Sequence, residues 1–565
     1  MKSNRADWRG ARPVFILELN WNGRTFKAST EPIQIPSASG EISFHGGIKE
    51  DPEINFQLPE LGFQVESYNT PIAVYLNDID ISKQASKHNY LDDADAVLSF
   101  VLVKGSTVES FESRIELISG KVKQPLFAHK EQPSGYVEFS IENQTIDSSM
   151  YQLLMGSGAV MSSLELSSQL NTAISPLTSI FKAGTSLIEV IDVQKGKNLP
   201  FIIGQTGFFY DEFNSKQYFG ASPAYVIYAV SGGVNKIWLA VAGHEVEATT
   251  VRIYDDLGNF RTETIETFTR RDGRVFSFVQ FTHTIGFQNP VDDESAKYYV
   301  SWMNGGGFKS TLSNESISNG GDLCLYLLSL GGQKVDFDSW RSIRDLLNAY
   351  KFAGYITEFD LTPIEFLENE IIPYLPISIV QSVEGLKPIY NVLASGAGLL
   401  AIDTIVSNQE FYRASPISTL DDVTNLVNDF TLEYVFDEKE NQHRRTIRIT
   451  GESSDLYTNV TSNQQAKESF QRYGIKSKIE QSNFIHDEDT AVQVVFDRIK
   501  FQSLPSRVVE YIGSSNYGYL NIGDIIRLSD DDASLSSQLV QVLSKSYQNN
   551  NWLYTFKIAP EGSQL

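Results

Sequence analysis

Hydrophobic and polar residues alternate with period two along much of the chain, which predicts strands rather than helices. Phe15, Leu17, Leu19 and Trp21 alternate with Ile16, Glu18 and Asn20. Asn22-Gly23 follows, and then a second short run over 25–28. Alternation broken by Asn-Gly is a hairpin signal, because a type I′ turn requires positive φ at both central positions. Further period-two runs at 72–76, 96–103, 114–117 and 136–141 predict a β-sandwich or barrel over 12–145. Residues 146–192 are rich in Ser, Leu and Ala with little periodicity, and read as a crossover linker with short helices.

β-branched and aromatic runs return at 201–203, 225–230, 237–241, 251–254 and 275–281. Asp256-Leu257-Gly258-Asn259 and Arg271-Asp272-Gly273-Arg274 supply turns between them. These runs predict a second β domain over 193–318.

Residues 319–404 read as the clearly helical section. Asp322 caps a helix over 323–330 that stops at Gly331-Gly332. Asp338 caps the next, where Trp340, Ile343, Leu347 and Tyr350 recur at helical spacing and Gly354 takes the C′ position after its end. Thr362-Pro363-Ile364-Glu365 has the spacing of a capping box with proline at the first helical position, and Pro373 ends that helix. With strands at 354–356 and 377–380 this makes a small α/β insert.

Over 405–565 β signals dominate again. A hairpin is expected at 430–436 and 446–450, strands at 492–501 and 506–511, and a barrel-like closing module at 519–528, 538–543 and 552–558. The predicted fold class is mainly β, multi-domain, with several barrel or sandwich modules and one small α/β insert.

Composition narrows the function. A chain of 565 residues suggests several domains rather than one core. Its 46 Lys+Arg against 70 Asp+Glu give a formal charge of −24, which opposes broad binding to duplex nucleic acid or an anionic membrane. The single cysteine excludes an intrachain disulfide and an all-cysteine metal site. The charged N-terminus lacks the apolar stretch of a secretory signal, and no run approaches the length of a membrane span, so synthesis in a reducing cytoplasm is expected. Lys2, Arg5, Arg9 and Arg12 are expected to dock on an acidic neighbouring subunit or to stay disordered.

Candidate chemistry is sparse. His45, His88, His129, His244, His283, His443 and His486 include no pair at i, i+2 or i, i+4, so neither a zincin helix nor a His-x-His strand pair exists. Cys324 sits in an apolar run, where a thiol is a small buried hydrophobe with a raised pKa. Gly156-Ser157-Gly158 and Gly305-Gly306-Gly307 match neither a P-loop nor a dinucleotide fingerprint. The acidic groups Asp78/Asp80, Asp92-Asp93/Asp95, Asp292-Asp293-Glu294 and Asp530-Asp531-Asp532 lack the EF-hand pattern and read as solvated turns. No catalytic, cofactor-binding or metal-ligating residue is nominated, and the chain is read as a non-enzyme without a cofactor.

The order of segments resembles the tail-hub proteins of long-tailed bacteriophages. Arg12-Pro13-Val14-Phe15-Ile16-Leu17-Glu18-Leu19 followed by Phe26-Lys27-Ala28-Ser29-Thr30 resembles their opening. Gly196-Lys197-Asn198-Leu199-Pro200-Phe201-Ile202-Ile203-Gly204 is similar to the Gly-Lys-x-x-Pro-x-x-x-Gly stretch of the lambda-type tail tip hub family. There a β domain follows, as here with Ala242-Gly243-His244-Glu245 and Tyr254-Asp255-Asp256-Leu257-Gly258. Segments 322–330, 340–356 and 362–375 look like that family's helical insert, and Ile522-Gly523-Asp524-Ile525-Ile526-Arg527-Leu528 like its closing module.

The resemblance implies a structural virion protein at the distal tail tip of a siphovirus-type phage. It implies a homotrimeric ring whose 12–145 and post-405 modules continue the tube wall as a pseudo-hexamer. The partners so implied are the distal tail or tail tube protein, other tail tip hub (baseplate) subunits, the central tip or fibre protein and the tape measure protein. DNA passes through on ejection without specific binding, and at least one acidic cluster is expected to line the channel. The alternative readings are a carbohydrate-binding or adhesin-like β protein, favoured by 26 Tyr and 6 Trp, and a cell-wall hydrolase.

Overall fold

The computed structural model describes residues 8–21, 23–52, 54–58, 65–66, 70–75, 91–128, 136–142, 199–230, 236–269, 275–290, 293, 295–303, 307, 317–330, 334–357, 361–382, 384–419, 425–451 and 460–559. The expected linker at 146–192 lies outside them. The chain is mostly β, in several sheets that roll into barrels, with one α/β layer. Among the described residues no helix is long and apolar enough to cross a membrane.

The N-terminal sheet begins with the expected hairpin. Arg12–Trp21 pairs with Arg24–Ser29 in a register that ends at Trp21↔Arg24, with Gly23 at φ +76°. On its other side the first strand pairs with Asp95–Lys104, and Ile115–Ala128, Tyr136–Glu142 and Thr70–Tyr75 follow in order. The segment after Gly40–Gly46 closes the ring. Gly47 and Ile48 donate N–H to the Ser29 carbonyl, while Lys49 N–H bonds the Ala73 carbonyl and the Gly47 carbonyl takes Tyr75 N–H. Both faces of the first strand are apolar for two reasons. Phe15, Leu17 and Leu19 enter the large core shared by the two ends of the chain, and Val14 and Ile16 lie under Ile35 and Phe44 of the folded-over hairpin Ile33–Ser37/Gly40–Gly46.

The middle sheet is a second barrel. Its order runs Phe260–Thr264, Thr250–Asp255, Tyr298–Trp302, Ser222–Val230, Lys236–Ala242, Val275–Thr282, Glu266–Thr269. The two ends of that order are consecutive in sequence, separated only by Ile265, so the chain itself closes the ring. Ile265 N–H bonds the Thr249 carbonyl, and Arg261 Nη1 donates to the Thr282 carbonyl across the closure at 2.8 Å. Val251, Ile253, Leu239, Val279, Val300 and Trp302 fill the core.

The C-terminal barrel is built from Arg507–Gly513, Ile525–Asp530, Leu535–Gln548 and Asn551–Ile558. Its outer strands, Ala401–Val406 and Phe411–Arg413, are joined by a short turn, which nearly closes it. A strand from the other end of the chain completes it: Asn55–Gln57 pairs with Ser544–Ser546, and Leu58 N–H bonds the Leu543 carbonyl at 2.6 Å. The terminal barrels share one apolar core, with Phe15 against Tyr547 (centroids 5.0 Å) and Phe100 against Trp552 (5.6 Å). Gly518 sits in this seam, and the fully buried Lys545 donates Nζ to its carbonyl at 2.7 Å.

The α/β layer joins two stretches of sequence. From the first come α1 (Gly320–Leu330), α2 (Phe337–Leu347) and a turn Pro363–Phe366 continued through Leu367–Ile371 to Ile372–Tyr374, where Pro373 ends it. Asn319, not Asp322, accepts the first N–H groups of α1, and Asp322 pairs with Arg344 at 3.0 Å. Asp336, not Asp338, caps α2 by accepting Ser339 N–H, and α2 ends at Leu347 so that Gly354 opens a strand instead of closing the helix, whereas the Thr362/Glu365 capping box forms as expected.

From the second stretch come the sheet of Asp429–Asp437, Gln442–Thr450, Val460–Ser462 and Ser477–Gln481, with α3 (Gln464–Tyr473) and α4 (Glu488–Gln502). The run 492–501, expected as a strand, lies in α4. Asp487 caps that helix, and Ala491, Val494, Val495 and Ile499 fall on its buried side at helical spacing. Its β-branched residues suggest a strand, but the cap and the core on one side of the helix outweigh that weak propensity.

Asp497 on α4 accepts hydrogen bonds from Tyr350 Oη and Gln493 Nε2, tying α4 to the segment after α2. Burial pushes its carboxyl up to about 6, with those hydrogen bonds and the nearby Lys500 and Arg498 partly opposing. The protonated form therefore favours folding, a contribution complete below the ordinary carboxylate range and lost as pH rises through 6. Asp497→Asn is expected to be more stable than the parent at pH 8, by up to about 3 kcal/mol, and to lose that advantage at pH 4 in urea titrations. A Cβ on Gly518 would stand 2.6 Å from both Phe100 Cζ and Trp552 Nε1. Gly518→Val is therefore expected to cost about 1–3 kcal/mol in the same titration.

Candidate functional site

The modules meet at one short strand. Phe201–Ile203 pairs with Gly354–Ile356, which follows α2. On its other side the Pro200 carbonyl takes Gly243 N–H at 2.9 Å, and Ile202 N–H donates to His244 Nε2 at 2.9 Å. His244 Nδ1 then donates to the Glu245 carbonyl at 2.8 Å, which fixes the neutral tautomer. Burial pushes this imidazole down to about 4. Two of the stretches that carry the family resemblance, 199–204 and 242–245, thus lock to each other; Gly196, Lys197 and Asn198 lie outside the described residues. Gly204 has φ +56°, and a Cβ there would stand 2.4 Å from the Phe352 carbonyl oxygen. Only glycine fits a backbone crossing this close.

Beside the junction opens a cleft of about 370 Å³. Phe208, Phe209 and Tyr210 line one wall, and Arg445, Asp487 and Glu488 another. Arg445 pairs with Glu488 at 3.1 Å and its guanidinium lies 5.8 Å from the Phe209 centroid. A second cleft of about 220 Å³ holds Tyr355, Glu370 and Asn483, and His486 borders both. His486 stacks on Phe219 (5.9 Å, 7°) and its Nε2 donates to the Asn483 carbonyl at 3.3 Å. Its Nδ1 is sealed from solvent without a partner among the described residues, and burial pushes the ring down to about 4. His443 reaches Asn483 Oδ1 at 3.1 Å, so two histidines distant in sequence converge on one asparagine. No local spacing signals that meeting, because a sheet turn and the start of α4 create it.

The remaining candidates hold structural positions. Cys324 is buried in α1, which pushes its thiol up. His45 packs edge-on against Phe26 at 5.0 Å, and His283 Nε2 meets the Phe287 carbonyl at 2.6 Å; His88 and His129 lie outside the described residues. Asp93 and Asp95 pair with Lys123 and Lys121. Asp530 takes Tyr511 Oη and caps the turn Asp531–Ala533, and Asp293 holds a turn through Ser295. Asp78, Asp80, Asp292 and Glu294 lie outside the described residues, as do Gly156-Ser157-Gly158, Gly305, Gly306, Lys2 and Arg5. Arg9 reaches Glu410 at 3.4 Å and Arg12 reaches Glu31, partners within the chain itself. Among the described residues no three His, Cys, Asp or Glu side chains are grouped to hold a metal ion.

No known protein family matches the sequence, and no curated protein does. Solved structures similar to the chain include virion, tail and baseplate proteins. A protein of the native gene transfer agent virion has 8% identity and a TM-score of 0.42, over 71% of this chain and 98% of its own. A prophage tail protein from Listeria monocytogenes has 8% identity and a TM-score of 0.23, over 63% and 94%. A chain of the P2 virion baseplate in its activated conformation has 9% identity and a TM-score of 0.17, over 64% and 99%.

His244→Leu is expected to cost about 1–3 kcal/mol at pH 7, because it strands the buried Ile202 N–H. The unfolded chain binds the His244 proton near 6.5 and the folded chain only near 4, so the stability this group supplies is lost as pH falls across that window. Denaturation followed from pH 7 to pH 4 should therefore show a shallower acid loss in the variant.

Proposed function

We propose that the chain is a structural virion protein, a hub at the distal end of a phage tail. Three copies close a ring that joins the tail tube to the tip or fibre and encloses part of the DNA ejection channel. The observation that carries this reading is the coupling of the terminal barrels. Strand Asn55–Gln57 enters the last sheet and both barrels share one core, so each chain offers two barrels as one rigid wall segment. Three chains then supply six barrels, the number a six-fold tube presents, and a heterologous contact that closes makes a ring rather than a filament.

In this reading the domains are 12–145 and 405–565 as wall modules, 193–318 as a second β domain, 319–404 as the insert and 146–192 as the crossover. The partners are the distal tail or tube protein, other tip subunits, the central tip or fibre and the tape measure protein. The chain is made in the host cytoplasm, works in the virion tail and is not a catalyst. The net charge of −24 suits a conduit past which DNA slides, since a basic lumen would bind the duplex and slow it.

Purified protein and intact particles are expected to show a three-fold ring by electron microscopy, with a trimer mass in native mass spectrometry. A stable monomer with no ring in either preparation overturns the proposal. A reconstruction whose lumen is lined mainly by Lys and Arg overturns the sliding-surface reading separately.

A further inference from the structure

We infer that the 370 Å³ cleft beside the Phe201–Ile203 junction is a binding site for a neutral saccharide. Its volume lies at the lower end of pockets that hold small ligands, roughly 300–1,000 Å³. Three features of the cleft select the ligand class.

The first is a preformed aromatic wall. Phe208–Tyr210 pairs with Lys216–Tyr218 in a separate two-stranded hairpin. Asp211 fixes its turn by accepting the N–H of Phe213 at 2.9 Å and of Ser215 at 2.7 Å, and Gln217 Nε2 at 3.2 Å. Lys216 Nζ sits 3.7 Å from the Phe208 centroid. The rings are thus oriented before any ligand arrives, which reduces the ordering cost of binding. Tyr210 remains 47% exposed on this wall. Such a ring offers an apolar face to sugar C–H groups and a hydroxyl to sugar oxygens.

The second feature is charge balance. Glu247, Asp487 and Glu488 line the cleft with Lys351 and Arg445; Glu488 is paired with Arg445 and Asp487 caps α4, so one acid, Glu247, and one base, Lys351, remain to meet a ligand. On a chain of net charge −24 this cleft is locally neutral, and it favours neither an anion nor a cation. The third feature is the mixture of functional groups. Carboxylates accept and guanidinium or ammonium groups donate within one small volume, as neighbouring hydroxyls on a sugar ring require.

The test uses the full chain on an array of neutral, anionic and cationic oligosaccharides, followed by calorimetric titration of the best neutral probe. Neutral probes are expected to be retained, with Tyr210→Ala and Glu247→Gln each weakening binding by about tenfold or more. Phe213→Ala, at the hairpin tip outside the cleft lining, is expected to change it less than about twofold. Glu247 is exposed and keeps its shape as Gln, so that variant decides the matter if Tyr210→Ala unfolds. Retention of only charged probes, no neutral binding at millimolar concentration, or unchanged binding by the folded cleft variants overturns the inference. Ring formation in the same variants, followed by microscopy, is expected to be unaltered, which separates this outcome from the failure of the hub reading.

Discussion

An open sheet edge leaves a row of unpaired N–H and C=O groups, and closing such edges is the constraint around which this molecule is organised. Among the described residues three sheets curl round to meet that constraint, each by a different device. The first uses residues 47–49, which bond Ser29 on one side and the strand Thr70–Tyr75 on the other. The second uses its own continuity through Ile265. The third borrows Asn55–Gln57 from the far end of the chain and joins its outer strands by the turn before Phe411. Only the third device ties distant parts of the sequence, and it makes the terminal barrels one body.

That coupling explains why large aromatic side chains collect in the terminal seam. Phe15, Phe100, Tyr547 and Trp552 pack with tilted or edge-on geometry, which adds to the burial of their area. Gly518 is the concession that lets the chain pass between Phe100 and Trp552. The junction at Phe201–Ile203 solves a similar problem with polar groups. A neutral imidazole supplies the acceptor that a third strand would otherwise provide, and glycine at 204 allows the backbone crossing. The aromatic cleft opens where this junction holds the hairpin Phe208–Tyr210/Lys216–Tyr218 against the α/β layer.

Acidic side chains follow the same economy. Those with fixed roles cap turns and helices or pair with lysine and arginine: Asp336 and Asp487 cap helices, Asp530 holds a turn, and Asp437 and Asp429 grip Arg444 and Arg448. The excess negative charge is therefore carried by the surface rather than gathered into a metal-binding group among the described residues.

Local chemistry by itself determined the strands, the Asn-Gly hairpin and the Thr362/Glu365 capping box, because each is decided by residues a few positions apart. It also placed Cys324 in a core and Asp92 and Asp93 in a turn, whereas Asp95 lies in a strand and Asp530 is buried rather than solvated. The tertiary structure alone decided the rest. It turned the β-branched run 492–501 into α4 by offering it a core on one side. It brought His443 and His486 together on Asn483 and passed Asn55–Gln57 into a sheet formed almost five hundred residues later. Periodicity and capping are short-range properties of a sequence. Sheet closure and cleft formation depend on which distant edges remain unpaired once the strands exist, and no window of sequence contains that information.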